Sequence, residues 1–506
     1  MRQTVLSVVV DVRPASASRL RGLIAEIRAG EEQPPAGGGR RYDRLRNAIP
    51  VLQFMSWTVF EDDQYDPILV LECNIDGAPE PFWAQLEALY GGTLRDMIRC
   101  CQRPPGKAGD IYDRVAASGS QMPITPFLEA MTIWPRVFHI GNRGIPRERI
   151  ERQTALFHAA ESLLDGDAAL RALGPAKLHA ALRAALLPAF PWLDQAETPA
   201  ITPAENRSDW LHLGVFLVVL IAVLAAPGWI MARAFAPWVG ASIWAAAALA
   251  AGVSLNWMRD ADLPKVIGTV FAGLVGVTVI AALISATIAP VLGGCVASIG
   301  AIVAVVSARI NSLERNDPSQ TAPPLSDAKL RAQTAAEDQI SQNHMISLVH
   351  VKPSALRAIL MRVALRGLGL VLRIKARDGY LGSMRTIHFA HWALVSNGAR
   401  LMFHSNFDGT WESYLDDFIE KAHLGLTLAW CNAIGFPPTR FLVLAGATHG
   451  RAFKTWARHS MAPSDMWFSA NRDLSVNLIA RQNEVADGLR AKTLTEPEAE
   501  TWARKL

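Results

Sequence analysis

The chain has 506 residues, half of them apolar, and a formal net charge of only +4. That charge is too small and too scattered to argue for a nucleic-acid partner, and no basic stripe interleaved with aromatics occurs. The five cysteines, Cys73, Cys100, Cys101, Cys295 and Cys431, have no metal-ligand spacing and read as reduced thiols. At the N-terminus the apolar run breaks at once at Asp11 and Arg13 with no small-residue cleavage site, so it predicts a strand rather than a signal peptide.

The chain divides by composition. Residues 1–150 and 344–470 read as two charged globular segments. Residues 151–209 read as a helical connector and acidic linker broken by Pro199 and Pro203, 311–343 as a polar linker, and 471–506 as a partly helical tail. Between them lies an apolar block, 210–310. A spanning helix needs roughly 20 apolar residues, which predicts four spans at about 211–231, 238–258, 266–289 and 291–308. Pro290 with Gly293 and Gly294 separates the last two. Trp210, Trp229, Trp238 and Trp257 sit at span ends, where indole favours the interface. Arg207, Arg259, Lys265, Arg309 and Arg315 place both termini on the cytoplasmic side. The spans carry no charge near their centres, which argues for an anchor rather than a transport path. Gly268, Ala272 and Gly276, spaced four apart, suit close helix approach and assembly of like chains.

The soluble segments resemble each other. Val10-Asp11-Val12-Arg13-Pro14 matches Val349-His350-Val351-Lys352-Pro353, and Phe54-Met55-Ser56-Trp57 matches Phe389-Ala390-His391-Trp392. Asn74-Ile75-Asp76-Gly77 matches Asn406-Phe407-Asp408-Gly409, and the segment 136–141 is aligned with 440–445. Each copy reads as strand, helix, strand, strand, helix, strand, with first strands at 6–12 and 346–351, which is the order of a ferredoxin-like unit. The expected fold class is therefore α+β: two ferredoxin-like repeats pairing as an intramolecular α/β barrel, beside an all-α bundle of four transmembrane helices. On these residues the chain resembles the dimeric α/β-barrel superfamily, distantly like dye-decolourising peroxidases and chlorite dismutases, and Ser405–Gly409 and Cys73–Gly77 keep the Asp-Gly end of a peroxidase motif. The segment 387–430 is also similar to a family of bacterial membrane proteins of undetermined function. The resemblance implies haem as one cofactor and oxidoreduction as the activity of an enzyme of this kind.

The Asn397-Gly398 pair between strand-like runs predicts a two-residue turn. Pairing Ser396 with Ala399 sets Val395 opposite Arg400, Ala393 opposite Met402, His391 opposite His404 and Phe389 opposite Asn406. One face then carries Phe389, His391, Met402, His404, Asn406 and Asp408, and the repeat adds Ser56, Glu72, Asn74 and Asp76 from the first copy. Directly opposed residues stand about 5 Å apart, so His391 and His404 are placed to share a divalent metal, a water or an anionic substrate. These two are the candidate catalytic and metal-binding residues, and Asn406, Asp408, Glu72, Asn74, Asp76 and Ser56 the candidate ligand-binding ones. The alternatives are cross-strand histidines that only hydrogen-bond, and helix N-caps for Asp76 and Asp408. His388 falls on the apolar face as a core histidine, and His423, His449 and His459 read as structural or solvated. No phosphate-binding glycine loop, nucleophile elbow or zinc-protease helix occurs.

The expectation is a bacterial-type inner-membrane protein with cytoplasmic soluble parts, whose partners are the bilayer and a small lipophilic molecule that the barrel cavity binds and, as an enzyme, would transform. A haem-dependent peroxidase-like oxidoreductase and a non-catalytic membrane scaffold stand as alternatives.

Overall fold

A computed structural model describes residues 3–33, 41–234, 289–337 and 341–506. The strands of its two larger sheets are β1 (Gln3–Asp11), β2 (Leu52–Phe60), β3 (Ile68–Asp76), β4 (Thr132–Ile133), β5 (Val137–Ile140), β6 (Gln342–His350), β7 (Ile387–Val395), β8 (Arg400–Asp408) and β9 (Met466–Ser469). The helices that matter below are α1 (Ala17–Glu32), α2 (Pro79–Cys100), α3 (Arg147–Gly166), α4 (Pro203–Ala234), α5 (Ala289–Arg315), α6 (Ala355–Lys375), α7 (Trp411–Trp430), α8 (Val476–Arg490) and α9 (Glu496–Ala503).

Two larger antiparallel sheets form, in the orders β9-β2-β3-β1-β4 and β5-β7-β8-β6. Each is edged by a strand from the other half of the chain. β4 lies on β1, pairing Ile133 with Ser7, and the chain then enters β5, which pairs with β7 through Phe138 and His391. In the same way Met461 bridges Ser347 of β6, the Ala462 amide donates to the Ile346 carbonyl at 3.2 Å, and β9 goes on to pair with β2 through Trp467 and Ser56. This corrects the alignment of 136–141 with 440–445. Residues 439–445 form a separate two-stranded ribbon in which Phe441 and Leu442 take left-handed backbone, φ 53° and 65°. The strand that mirrors β5 is β9. The shared signal follows each of them, Asn142-Arg143 after β5 and Asn471-Arg472 after β9.

The outer face of the first sheet packs on α1 and α2 through Leu20, Ile24, Phe82 and Leu86, and that of the second on α6 and α7 through Met361, Leu365, Tyr414 and Phe418. The inner faces meet each other. Phe60, Ile68 and Val70 pack against Ile346, Ala393 and Met402 at one end, and Val5 and Phe54 against Ile140 and Phe389 at the other. The β7–β8 register is the expected one, Val395 opposite Arg400 and His391 opposite His404. Asn397 (φ 57°) and Gly398 (φ 90°) both take positive φ, as a tight hairpin turn with the right-handed strand twist requires.

Two boundaries differ from expectation, and the tail is helical as expected but packs into the fold. β6 begins at Gln342 rather than 346, because its polar leading residues are satisfied inside the protein: Gln342 Nε2 donates to the Asn471 and Leu474 carbonyls and Asn343 Nδ2 to Gly409 O. The start of the expected linker, residues 311–315, continues α5, and Asp317 forms ion pairs with Lys352 and Arg357. The tail forms α8 and α9, whose Val485, Leu489 and Trp502 share a core with Leu156, Phe157 and Leu182.

α4 and α5 are long and apolar enough to cross a membrane, the most apolar stretches within Pro203–Arg233 and Val291–Arg315 reaching a mean hydropathy of 2.6 and 2.3. They contain the expected spans 211–231 and 291–308. The spans 238–258 and, but for its last residue, 266–289 lie outside the described residues, as do Gly268, Ala272 and Gly276. α4 meets α5 where a Cβ on Gly228 would lie 1.9 Å from the Gly294 carbonyl oxygen, an approach only glycine permits. Pro290 falls in the first turn of α5, where its missing amide is harmless.

Asp76 and Asp408 end β3 and β8, and each holds a helix distant in sequence. Asp76 Oδ2 accepts from the Arg147 amide at the start of α3, and Asp408 Oδ2 from the Val476 amide at the start of α8. Losing such a cap costs about 1–2 kcal/mol. Asp76→Ala and Asp408→Ala are therefore each expected to lower the thermal unfolding midpoint. Each also removes the partner of a buried side chain at 2.7 Å, Gln53 for Asp76 and His388 for Asp408, whereas the exposed Asp473→Ala should leave the midpoint nearly unchanged.

Candidate metal centre between the sheets

Alternation along the strands stacks the inward residues in rows across each sheet. In the first sheet one row runs Ser7, Glu72, Ser56; the facing row in the second runs Ile346, His404, His391. The next pair of rows is Val5, Asn74, Phe54 and His344, Asn406, Phe389. Polar side chains therefore collect in the middle of the interior, with the two apolar inner clusters on either side.

Glu72, His391 and His404 are fully buried, and one donor atom from each lies within 4.8 Å of the others. His404 Nδ1 stands 3.1 Å from His391 Nε2, and Ser7 Oγ stands 3.0 Å from the same nitrogen. Glu72 accepts from Asn74 at 2.6 Å, from Ser56 at 3.1 Å and, from the opposite sheet, from Asn406 at 3.1 Å. Asn406 Oδ1 accepts in turn from Trp467 Nε1 at 2.9 Å and lies 3.0 Å from His344 Nδ1. His391 Nδ1, His404 Nε2 and His344 Nε2 are buried without a hydrogen-bond partner. Buried polar atoms that the chain leaves without a partner call for a water, an ion or a ligand.

Of the expected site residues, Glu72, Asn74, Ser56, His391, His404 and Asn406 come together. Asp76 and Asp408 do not: they lie two residues further along their strands, at the sheet end, occupied with helix starts and with Gln53 and His388. The expected several carboxylates thus reduce to one. His388 departs from its expected apolar face because β7 has an irregularity between Ile387 and Phe389, which turns the ring toward Asp408 and Phe54. Sequence reasoning missed Ser7, His344 and Trp467. The signal for His344 was its two-residue spacing from Ile346, visible once β6 is extended to Gln342.

Burial governs the charges. It pushes Glu72 up to about 7 against three hydrogen bonds that favour the carboxylate, and it pushes His391 down to about 3 and His344 to about 4, with His404 well below its ordinary value. At neutrality the imidazoles are neutral, as metal ligands must be, and Glu72 sits near its titration point. A carboxylate and two neutral imidazoles suit a first-row divalent metal, with Asn74, Asn406 and Ser56 orienting the carboxylate. Haem does not fit this centre. Ser7–His391 and Asn406–Glu72 hydrogen bonds join the two sheets directly, which leaves no gap for a macrocycle between them.

The shifts give a signed pH dependence for the metal-free protein. Between 4.5, the ordinary carboxyl value, and about 7 the folded state keeps a proton on Glu72 that the unfolded chain has lost, so the contribution of Glu72 to stability falls as pH rises through that window. Below 6.5 the unfolded imidazoles of His344, His391 and His404 take protons that the folded ones refuse, which outweighs the single carboxyl, so net stability falls as pH drops toward about 3 and the Glu72 decline stands alone only between 6.5 and about 7. Melting curves of chelator-treated protein should show the first decline vanish in Glu72→Gln while the acid-side decline persists. A decline on the alkaline side that survives in Glu72→Gln would assign it to another group.

No protein-family model, curated protein or solved structure matches this chain significantly, so the centre has to be interpreted from its own geometry.

Proposed function

We propose that this is a membrane-anchored protein whose two soluble halves close into one α/β barrel around a divalent transition-metal centre held by Glu72, His391 and His404. The observation that carries this reading is the gathering of three buried donors within 4.8 Å, the carboxylate from the first sheet and both imidazoles from the second. Without an ion, a buried carboxyl beside imidazole nitrogens that lack partners is an expensive arrangement, and a metal satisfies both. One carboxylate and two imidazoles leave coordination positions free, the donor set of non-haem iron sites rather than of closed structural zinc sites. If the protein is an enzyme, this set favours an oxidoreductase.

Barrel closure is supported by the two fourth strands, β4 continuing into β5 and 461–462 continuing into β9, each of which begins on its own sheet and ends on the other. Such a ring would make the chain an intramolecular counterpart of the dimeric α/β barrels it resembles. Membrane anchorage is supported by α4 and α5, with Leu211, Val218, Ile221 and Val223 of α4 all more than half exposed. An even number of crossings would keep both halves of the barrel on one side, and the arginine and lysine placement supports the cytoplasm as that side. The polar, sealed interior favours an ion over a lipophilic molecule.

The full chain, purified in detergent and loaded with Co(II) or Fe(II), is expected to retain one equivalent of metal. Glu72→Gln and His391→Phe should each weaken retention by more than about 100-fold, beyond what loss of an orienting partner alone does. Substoichiometric metal that both variants leave unchanged would contradict the proposal.

A further inference from the structure

α6 carries two apolar faces. Met361, Leu365, Leu368 and Leu372 pack on the outer face of the second sheet. At 3.6 residues per turn, Leu356, Leu360, Val363, Gly367, Val371 and Ile374 fall on a different side of the helix, turned away from that sheet. A helix that only covers a sheet has one apolar stripe and a polar outer side, so the second face calls for a second apolar neighbour. It is partly open: Val371 is 40 % exposed, and Ile359 at its margin 60 %.

The two long apolar helices touch this second face. A Cβ on Gly367 would meet the Phe216 ring of α4 at 3.2 Å, and Leu356 and Leu360 pack with Val306 and Ile310 of α5. Phe216 lies near the start of the apolar stretch of α4 and Val306 near the end of that of α5, so both contacts fall at the same end of the pair. Phe216 stands six positions past Trp210, about 9 Å along α4. Helices that lie in a membrane surface sink their apolar face to a similar depth, roughly 5–10 Å.

Charge identifies what borders that face. α6 holds five basic residues, Arg357, Arg362, Arg366, Arg373 and Lys375, and no acidic one. Arg357 is paired with Asp317, and Arg373 Nη1 lies 4.0 Å from Asp209. Arg362 and Arg366 are exposed, and with Arg373 they lie within about 40° of one another around the axis, in a row between the two apolar faces. Arginines that flank an apolar stripe beside spanning helices match an anionic lipid surface.

We infer that α6 lies in the headgroup layer of the bilayer that α4 and α5 cross and binds anionic phospholipid there, its second apolar face on the acyl chains and Arg362 and Arg366 on the phosphates. Continuity of that face with the apolar stretches of α4 and α5 favours lipid over a protein partner. The inference rests on the membrane anchorage proposed above and uses nothing of the metal centre.

The test uses the full chain in nanodiscs that contain photoreactive phosphatidylglycerol or photoreactive phosphatidylcholine, each with a diazirine near the top of one acyl chain, and maps the labelled peptides by mass spectrometry. Phosphatidylglycerol is expected to label the segments around Ile359 and Val371 more than about fivefold above phosphatidylcholine, the factor that one arginine beside an anionic surface supplies. Arg362→Gln with Arg366→Gln should erase that preference, and Arg362→Lys with Arg366→Lys should keep it. Labelling around Val218 and Val223 of α4 is the reference, expected to be equal for the two lipids. An unlabelled α6 beside a labelled α4 would overturn the inference and leave the membrane reading intact. Equal labelling of α6 by both lipids, or a preference that survives the double glutamine variant, would overturn it too. If α4 itself takes no label, the membrane reading fails and this inference with it.

Discussion

The structure depends on one contact across the middle of the molecule, the buried Glu72 carboxyl facing the His391 and His404 imidazoles of the opposite sheet. On either side of this contact apolar side chains pack between the sheets, Phe60, Ile68 and Val70 against Ile346, Ala393 and Met402 at one end and Val5 and Phe54 against Ile140 and Phe389 at the other. Here the chemistry is specific: a carboxyl in a dry interior has to be protonated, hydrogen-bonded or bound to a cation. Asn74, Ser56 and Asn406 supply the hydrogen bonds, yet burial still dominates and leaves the group near 7. The imidazoles sit on the complementary side of the same balance, kept neutral by the same lack of water. A divalent cation would hold Glu72 ionised, use the imidazoles as they stand and link the two sheets.

The chain path explains how the carboxyl and the imidazoles come to face each other from 319 positions apart, Glu72 to His391 (391 minus 72). Each fourth strand starts beside the first strand of its own half and ends on the second strand of the other, so neither sheet is complete without the opposite half. The same residues that end the central strands hold the helices that follow the exchange, Asp76 on α3 and Asp408 on α8. Gln3 and Gln342 take matching parts, each donating to two carbonyls of the loop after the exchanged strand. The Glu72–His391–His404 cluster, the strand exchange and the helix starts are thus one connected construction. The helices α4 and α5 leave it from the middle of the sequence.

Much of this was legible in residues 387–408, because a period of two and an Asn-Gly turn determine which side chains share a face. Once the turn is placed, the His391–His404 pairing follows, and with it Asn406. Glu72, Asn74 and Ser56 were reachable through the internal likeness of the two halves. His344 was hidden by its neighbours: Gln342, Asn343 and His344 have linker composition, and only the carbonyls and side chains that receive them make a strand there. The exchanged strands were the harder loss. β5 and β9 are four residues each, too short for periodicity, and their partners lie hundreds of positions away, so a local apolar run at 440–445 competed for the same role. Asp408 was misassigned for a related reason, since an aspartate before a helix reads as the cap of that helix, whereas it caps one that begins at Val476.

The most direct measurement is anomalous diffraction at the absorption edge of the loaded metal, on crystals of the full chain. The account predicts a single strong peak bounded by the Glu72 carboxylate and the His391 and His404 imidazoles, with ligand distances of roughly 2.0–2.2 Å. A peak elsewhere would contradict it. So would no peak, with the direct hydrogen bonds from Ser7 to His391 and from Asn406 to Glu72 intact, because the centre would then be a closed polar core that holds a proton in place of a metal.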